Sequence, residues 1–84
     1  MDKAPEITAD TVVFTDTELK VHLSDGRTVS VPIAWYPRLM YGNNKERNNW
    51  QFIAGGIGIH WPELDEDISI EGIILGRRSY ESKR

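Results

Sequence analysis

Two short segments on either side of residues 55–56, which are both glycine, constrain the fold of this chain more than any other feature. Residues 50–54 and residues 57–61 place apolar side chains at alternate positions, which is typical of half-buried β-strands. A two-residue Gly-Gly turn between them predicts a hairpin whose large side chains all lie on one face. The predicted cross-strand pairs are Ala54 with Ile57, Phe52 with Ile59 and Trp50 with Trp61, with Gln51 opposite His60 on the other face.

An earlier part of the chain predicts a three-stranded meander. Residues 11–15 and 18–24 alternate in the same way, and a two-residue turn joins them with their apolar side chains on one face. For the next turn, a two-residue loop would mix polar and apolar faces. A three-residue loop with Gly26 in the left-handed conformation keeps the apolar face continuous. The predicted pairs are Phe14 with Leu19, Val12 with Val21, Val21 with Val29 and Leu19 with Val31.

Short helical segments follow each group of strands, and their end signals are clear. Proline is tolerated in a first helical turn, and Asn or Ser before a helix can accept a hydrogen bond from its free amides. The predicted helices are residues 34–41 with Pro37 in the first turn, one turn opened by the capping box of Asn43 and Glu46, and residues 70–75 between the N-cap Ser69 and Gly76.

These elements predict one small α+β domain. The 84 residues suffice for a single thin core. We expect a small antiparallel sheet, consisting of the meander and the hairpin, with two or three short helices packed on one face. We assign residues 1–10 to a flexible N-terminus, residues 11–76 to the domain and residues 77–84 to a basic tail. The predicted buried face of the sheet carries Val12, Phe14, Leu19, Val21, Val29, Val31, Phe52 and Ile59.

Composition narrows the functional classes. The chain has no cysteine, which excludes disulfides, thiol catalysis and zinc–cysteine sites. It shows no signal peptide and no apolar run long enough to cross a bilayer, so we expect a cytoplasmic protein with no membrane partner. The net charge of −3 makes it a poor general nucleic-acid binder.

The acidic stretch at residues 63–67 contains four carboxylates and no basic residue. Three interpretations stay open: a metal site, a surface for a basic partner, or a solvated loop beside a helix start. The ligand spacing of an EF-hand is absent, so we expect no cofactor, and the metal site is the weaker alternative. Its candidate ligands are His60, Asp65, Glu66 and Asp67.

A second candidate surface combines two aromatic side chains with an arginine. Trp35, Tyr36 and Arg38 are of the residue types that dominate protein interfaces. Alternatively, Trp35 covers the sheet and Arg38 pairs with the acidic stretch. The complete set of predicted partner-binding residues is Trp35, Tyr36, Arg38, Glu63, Asp65, Glu66 and Asp67.

Catalysis is not indicated, because no nucleophile–base grouping or phosphate-binding glycine loop has a recognisable spacing. We therefore predict that the chain is not an enzyme. A sparse basic group, consisting of Arg38, Lys45 and Arg47 with Tyr41 and Trp50 nearby, suggests at most weak nucleic-acid binding, helped by the basic tail.

Two runs of the sequence resemble the bacterial domain-of-unknown-function family numbered 2442. Residues 23–39 read LSDGRTVSVPIAWYPRL and residues 55–68 read GGIGIHWPELDEDI; the likeness extends over about residues 11–76. The resemblance implies an α+β fold with a small antiparallel sheet and no established activity. It also implies that the gene stands beside one for a small protein, in a pair suspected to be a toxin–antitoxin module. Longer family members carry a helix-turn-helix after this domain; residues 77–84 predict no such segment, so we do not expect DNA binding by that route.

The sequence thus favours a small cytoplasmic protein-binding module, and the resemblance makes it the antitoxin-like or accessory partner of a small basic protein encoded nearby. A metal-binding enzyme or sensor and a weak nucleic-acid binder are the alternatives. Homo-oligomerisation stays open, because a thin core often leaves apolar surface exposed.

Overall fold

The computed structural model describes residues 7–77, which form two three-stranded antiparallel sheets and three short helices. This confirms the predicted α+β class. The strands are β1 (Ala9–Phe14), β2 (Glu18–Leu23), β3 (Thr28–Pro32), β4 (Gln51–Ile53), β5 (Gly58–Trp61) and β6 (Glu66–Ser69). The helices are α1 (Pro37–Met40), α2 (Asn44–Asn48) and α3 (Ile70–Ile74), and single 3-10 turns cover Ile33–Trp35 and Ala54–Gly56.

The first sheet has the order β1-β2-β3 and the predicted registers. The pairs Phe14 with Leu19 and Val21 with Val29 both form. Residues 24–26 form a three-residue loop closed by a hydrogen bond from the Leu23 amide to the Arg27 carbonyl. In this loop Gly26 has φ +94°, a conformation that glycine adopts without steric cost. The Asp25 carboxylate accepts a hydrogen bond from the Arg27 amide across this loop. Loop length therefore sets the register here, as predicted.

The second sheet has the order β4-β5-β6. The predicted register of the hairpin is confirmed, since Phe52 lies opposite Ile59 and Gln51 opposite His60. The predicted two-residue Gly-Gly turn is wrong. Residues 54–57 form a four-residue connection, in which Ala54 takes a left-handed φ of +53°. Two glycines in succession leave the backbone free to curl into this wider 3-10 turn.

The third strand of that sheet, β6, was not predicted. Glu66 and Asp67, for which a solvated loop was one of three interpretations, are its first two residues. β6 pairs with β5 so that Ile68 lies opposite Ile59 and Glu66 opposite Trp61. The hairpin therefore belongs to a sheet of its own, separate from the meander.

The helices follow their predicted end signals with one difference. Asn43 and Glu46 form both hydrogen bonds of the capping box at the start of α2, and the Ser69 hydroxyl accepts from the amide of Gly72 at the start of α3. The predicted helix over residues 34–41 is divided at Tyr36, whose φ of −126° is not helical. The residue before a proline is biased away from the helical region, which explains the break.

The two sheets and α3 share one hydrophobic core. The first sheet contributes Leu19 and Val21, the second contributes Ile59 and Trp61, and α3 contributes Ile73, all fully buried or nearly so. Phe14 of the first sheet and Trp61 of the second are in direct edge-to-face contact. Their ring centroids are 6.3 Å apart and their ring planes are inclined by 77°. The apolar face of the first sheet is thus covered by the helices and the second sheet together, and not by helices alone.

The start of the folded region lies earlier than predicted. β1 begins at Ala9, and Thr8 exchanges hydrogen bonds with Ser24 through its amide and its carbonyl. Residues 1–6 of the predicted flexible N-terminus and residues 78–84 of the predicted basic tail lie outside the described residues. Within residues 7–77, no helix is long and apolar enough to span a membrane.

The capping box provides a test of local stability. Asn43→Ala removes the acceptor for the Glu46 amide, so we expect the free energy of unfolding to fall by about 1 kcal/mol. Asn44→Ala is the matched control, because this neighbouring side chain makes no capping bond and only its main-chain carbonyl is used. Urea unfolding of both variants measures the difference. Equal losses would contradict a specific role for the cap.

Candidate functional site

Two large apolar side chains stand out on the surface at the end of α1. Tyr41 is 83% exposed and Met40 is 45% exposed. The adjacent Leu39 is fully buried, so it anchors the helix while its neighbours face solvent. Tyrosine and methionine are enriched in protein interfaces relative to the remaining surface.

The end of α1 is held in place by hydrogen bonds from α2. The Arg47 guanidinium donates to the carbonyl oxygens of Leu39 at 2.8 Å and of Met40 at 2.7 Å. These are carbonyls that a helix leaves without partners at its C-terminus. The carbonyl of Arg47 in turn accepts from the indole N–H of the buried Trp61 at 2.9 Å. Met40 and Tyr41 are therefore presented by a backbone that is fixed to the core.

The turn between β5 and β6 lies alongside α1 at two points. The Arg38 guanidinium donates to the main-chain oxygen of Asp65 at 2.5 Å and to its carboxylate at 3.3 Å. At the other end, Gly42 is in such close contact with Leu64 that a methyl group on Gly42 would lie 2.8 Å from it. Asp65 has a left-handed φ of +53°, which aspartate and asparagine tolerate better than most residues.

These contacts place the turn beside the end of α1, and we call the exposed residues of both the α1–turn surface. Its members are exposed in the structure: Arg38, Met40, Tyr41, Glu63 and Asp65. The Asp65 side chain is 92% exposed although Arg38 contacts it, so much of its negative charge still faces solvent. An exposed pair of this kind contributes little to stability. It serves instead to align the turn with the helix.

Two of the predicted partner-binding residues are not on the surface. Tyr36 is 2% exposed and Glu66 is 5% exposed, so neither can contact a partner directly in this conformation. Strand alternation explains Glu66, because it lies opposite Trp61 on the inner face of the second sheet. Trp35 is half-buried. Of the predicted set, Arg38, Glu63 and Asp65 form part of the α1–turn surface.

The buried phenol of Tyr36 sits in a polar setting. Its hydroxyl donates to the carbonyl oxygen of Arg77 at 3.1 Å. Burial raises the pKa of Tyr36 above 10.0, and the nearby charge of Glu66 raises this pKa further. Burial of this phenol therefore favours its neutral form over its charged form.

The predicted metal ligands do not converge. His60 and Asp67 are cross-strand neighbours on the outer face of the second sheet, and the His60 Nδ1 and the Asp67 carboxylate are hydrogen-bonded to each other. Asp65 is directed to Arg38, and Glu66 is buried on the other face. Within residues 7–77, no group of three His, Cys, Asp or Glu side chains is arranged to hold a metal ion. The arrangement therefore contradicts the weaker alternative, a metal site formed by His60, Asp65, Glu66 and Asp67.

The sparse basic group is also divided among structural contacts. Arg47 donates to the carbonyls at the end of α1 and Arg38 donates to Asp65. Lys45 is exposed on α2. Two of the three cations proposed for nucleic-acid binding thus already have acceptors within the chain.

The aromatic residues that sequence reasoning selected in this segment are less exposed than Met40 and Tyr41. These were Trp35 and Tyr36; Met40 was not considered, and Tyr41 was noted only beside the basic group. The signal that could have found them is Leu39. If Leu39 is the one inward position of a single-turn helix ending at Gly42, then Met40 and Tyr41 must lie on the outer side.

Comparison with known families places the chain among proteins of unknown function. The model of the family described as "Protein of unknown function (DUF2442)" matches residues 9–79. No curated protein matches the sequence.

Two solved structures share the fold. A crystal structure of a protein of unknown function from Rhodospirillum rubrum has a TM-score of 0.77 at 23% identity, covering 92% of this chain and 95% of that one. A solution NMR structure of an uncharacterised protein from Chromobacterium violaceum has a TM-score of 0.73 at 19% identity, covering 87% of this chain and 69% of that one. At these identities the likeness concerns the fold alone.

The raised pKa of Tyr36 predicts an alkaline loss of stability. Because the folded pKa lies above the ordinary value of 10.0, the contribution is complete below pH 10.0 and is lost as the pH rises through the folded pKa. Urea unfolding at pH values below and above 10.0 measures it. Tyr36→Phe should flatten this decline, at a cost of about 1 kcal/mol at neutral pH for the lost hydrogen bond.

Tyr41→Phe is the matched control for that experiment, since its phenol is exposed. It should keep both the stability at neutral pH and the alkaline decline. An unchanged decline in Tyr36→Phe would show that other groups cause it.

Proposed function

The chain belongs to the DUF2442 family of proteins of unknown function, and we propose that it is a protein-binding module whose partner is small and basic. The single observation that carries this proposal is the exposure of Tyr41 and Met40 beside the acidic turn. Interface energy is commonly concentrated in a few aromatic and arginine side chains surrounded by polar groups.

The rigidity of the α1–turn surface supports binding over a purely solvated role. Met40 and Tyr41 are on a helix end whose carbonyls are held by Arg47, and the turn is aligned by Arg38. A surface that is ordered before binding loses less conformational entropy when the partner arrives. A partner can therefore contact the Tyr41 ring with little further loss of conformational entropy in this chain.

The charge of the turn supports a basic partner. Glu63 has no ion-pair partner within residues 7–77, and the Asp65 carboxylate is mostly solvent-exposed. Residues 63–71 contain no lysine or arginine. Negative potential of this kind attracts cationic surfaces and raises association rates most at low ionic strength. The concrete form of the proposal is an antitoxin-like or accessory protein that covers a basic surface of a small protein encoded by the adjacent gene.

Co-expression with the product of the adjacent gene tests the aromatic part of the surface. We expect a stable complex on size-exclusion chromatography, and Tyr41→Ala should weaken it about 30-fold, the loss typical of a hot-spot tyrosine. Val13→Ala is the matched control, because Val13 is also a large exposed apolar residue but lies on the first sheet. A complex that tolerates Tyr41→Ala as well as Val13→Ala would contradict the proposed surface, and the absence of any complex would contradict this partner.

The electrostatic part is tested by association kinetics of the same complex. Glu63→Lys combined with Asp65→Asn should slow association, most strongly at low salt, and asparagine keeps the left-handed backbone at residue 65. Asp10→Lys combined with Asp16→Asn changes the net charge equally at two exposed residues, one in β1 and one in the turn that follows it. Equal slowing in the two double variants would indicate a net-charge effect and would count against the acidic turn.

A further inference from the structure

A concave region lies between α3 and the connection that precedes β5. It is a groove of about 370 Å³ and shares no residue with the α1–turn surface. Its walls are aliphatic and are formed by Ile7, Ile57, Ile70, Ile74 and Leu75. Leu75 is 59% exposed at its edge, so an apolar surface is open to solvent here. The proposed function makes no use of this groove.

The polar part of the groove carries one charge. Glu71 and Ser69 complete its lining, and the Ser69 hydroxyl already accepts a hydrogen bond at the start of α3. The Glu71 carboxylate is exposed and has no ion-pair partner within residues 7–77. Glu71 and Leu75 are four residues apart on the helical segment, which places the carboxylate next to the apolar edge.

The size of the groove indicates what kind of molecule fits it. Stable protein interfaces involve about 20–30 residues on each side, whereas seven residues line this groove. Pockets for small molecules span about 300–1,000 Å³ and have mostly apolar walls with a few polar groups. The groove falls within that range and is too small to account for a protein partner or a second copy by itself.

We propose that this groove binds a small amphiphilic cation, in which an aliphatic chain carries a primary ammonium or guanidinium head group. The aliphatic chain lies against Ile57, Ile70 and Ile74, where it loses contact with water. The cationic head pairs with the Glu71 carboxylate at the edge. The sign of the head group follows from the lining, which among residues 7–77 holds a carboxylate and no basic side chain.

A head-group series on one chain length tests both parts of the proposal. Decylammonium, decanol and decanoate are titrated below their micelle concentrations into the ¹⁵N-labelled chain, with amide shifts followed by NMR. We expect shifts confined to residues of the groove, and binding of decylammonium about two- to fivefold tighter than that of decanol, with decanoate weakest. Equal binding of the three, or shifts spread over the whole surface, would overturn the proposal.

Two variants of the groove make the test specific. Glu71→Lys should invert the order, so that decanoate binds better than decylammonium. Leu75→Lys should weaken decylammonium binding without unfolding the chain, because a lysine four residues after Glu71 occupies the carboxylate and favours the helix.

Glu63→Lys is the matched control, since it makes the same charge change on the α1–turn surface and should keep the original order. If Glu71→Lys and Glu63→Lys alter the order equally, the preference reflects net charge alone and the groove is not the site. This result is independent of the adjacent-gene complex, so it separates failure here from failure of the proposed function.

Discussion

The burial of Trp61 is the constraint on which the rest of the structure depends. Its side chain is fully buried at the end of β5, and its ring meets Phe14 of the other sheet in an edge-to-face contact. A buried indole N–H without an acceptor is costly, and here it donates to the carbonyl of Arg47. One side chain therefore fixes the two sheets and α2 relative to each other. Arg47 also donates hydrogen bonds to the carbonyls at the end of α1. The position of the α1–turn surface therefore depends on the buried Trp61.

The acidic stretch illustrates how a strand divides like charges. Read as a sequence, residues 63–67 form one negative run, but β6 turns Glu66 inward and leaves Asp67 outward beside His60. Asp65 is aligned by Arg38 in the preceding turn. The repulsion expected from four adjacent carboxylates is thus reduced by geometry, because neighbouring residues of a strand face opposite sides. Within this stretch, the negative charge that faces solvent and remains available to an external cation is concentrated at Glu63 and Asp65.

Much of the fold could be predicted from the sequence where short-range rules decide it. Turn length and the continuity of the apolar face set the registers of Leu19 and Val21, and the capping residues Asn43 and Ser69 mark two helix starts correctly. The strand β6 could not be predicted in this way, since its two leading carboxylates conceal the alternation that continues to Ile68. Only the tertiary pairing with β5 makes a strand of it.

The candidate site was harder to predict than the fold because it depends on which side chains the core takes. Tyr36 and Tyr41 are equally plausible interface residues in the sequence. Yet Tyr36 is buried near Glu66 and Arg77, whereas Tyr41 is 83% exposed. The difference arises from the break of the helix at Tyr36 and from the inward position of Leu39. Neither feature is encoded by residue type alone.

Hydrogen exchange of the Trp61 indole N–H tests this account most directly. If its bond to the Arg47 carbonyl fixes the α1–turn surface to the core, this proton should exchange only through global unfolding, with a free energy of exchange equal to the free energy of unfolding. Rapid exchange of the indole proton, while the amides of β5 remain protected, would show that the bond opens locally and would contradict the account.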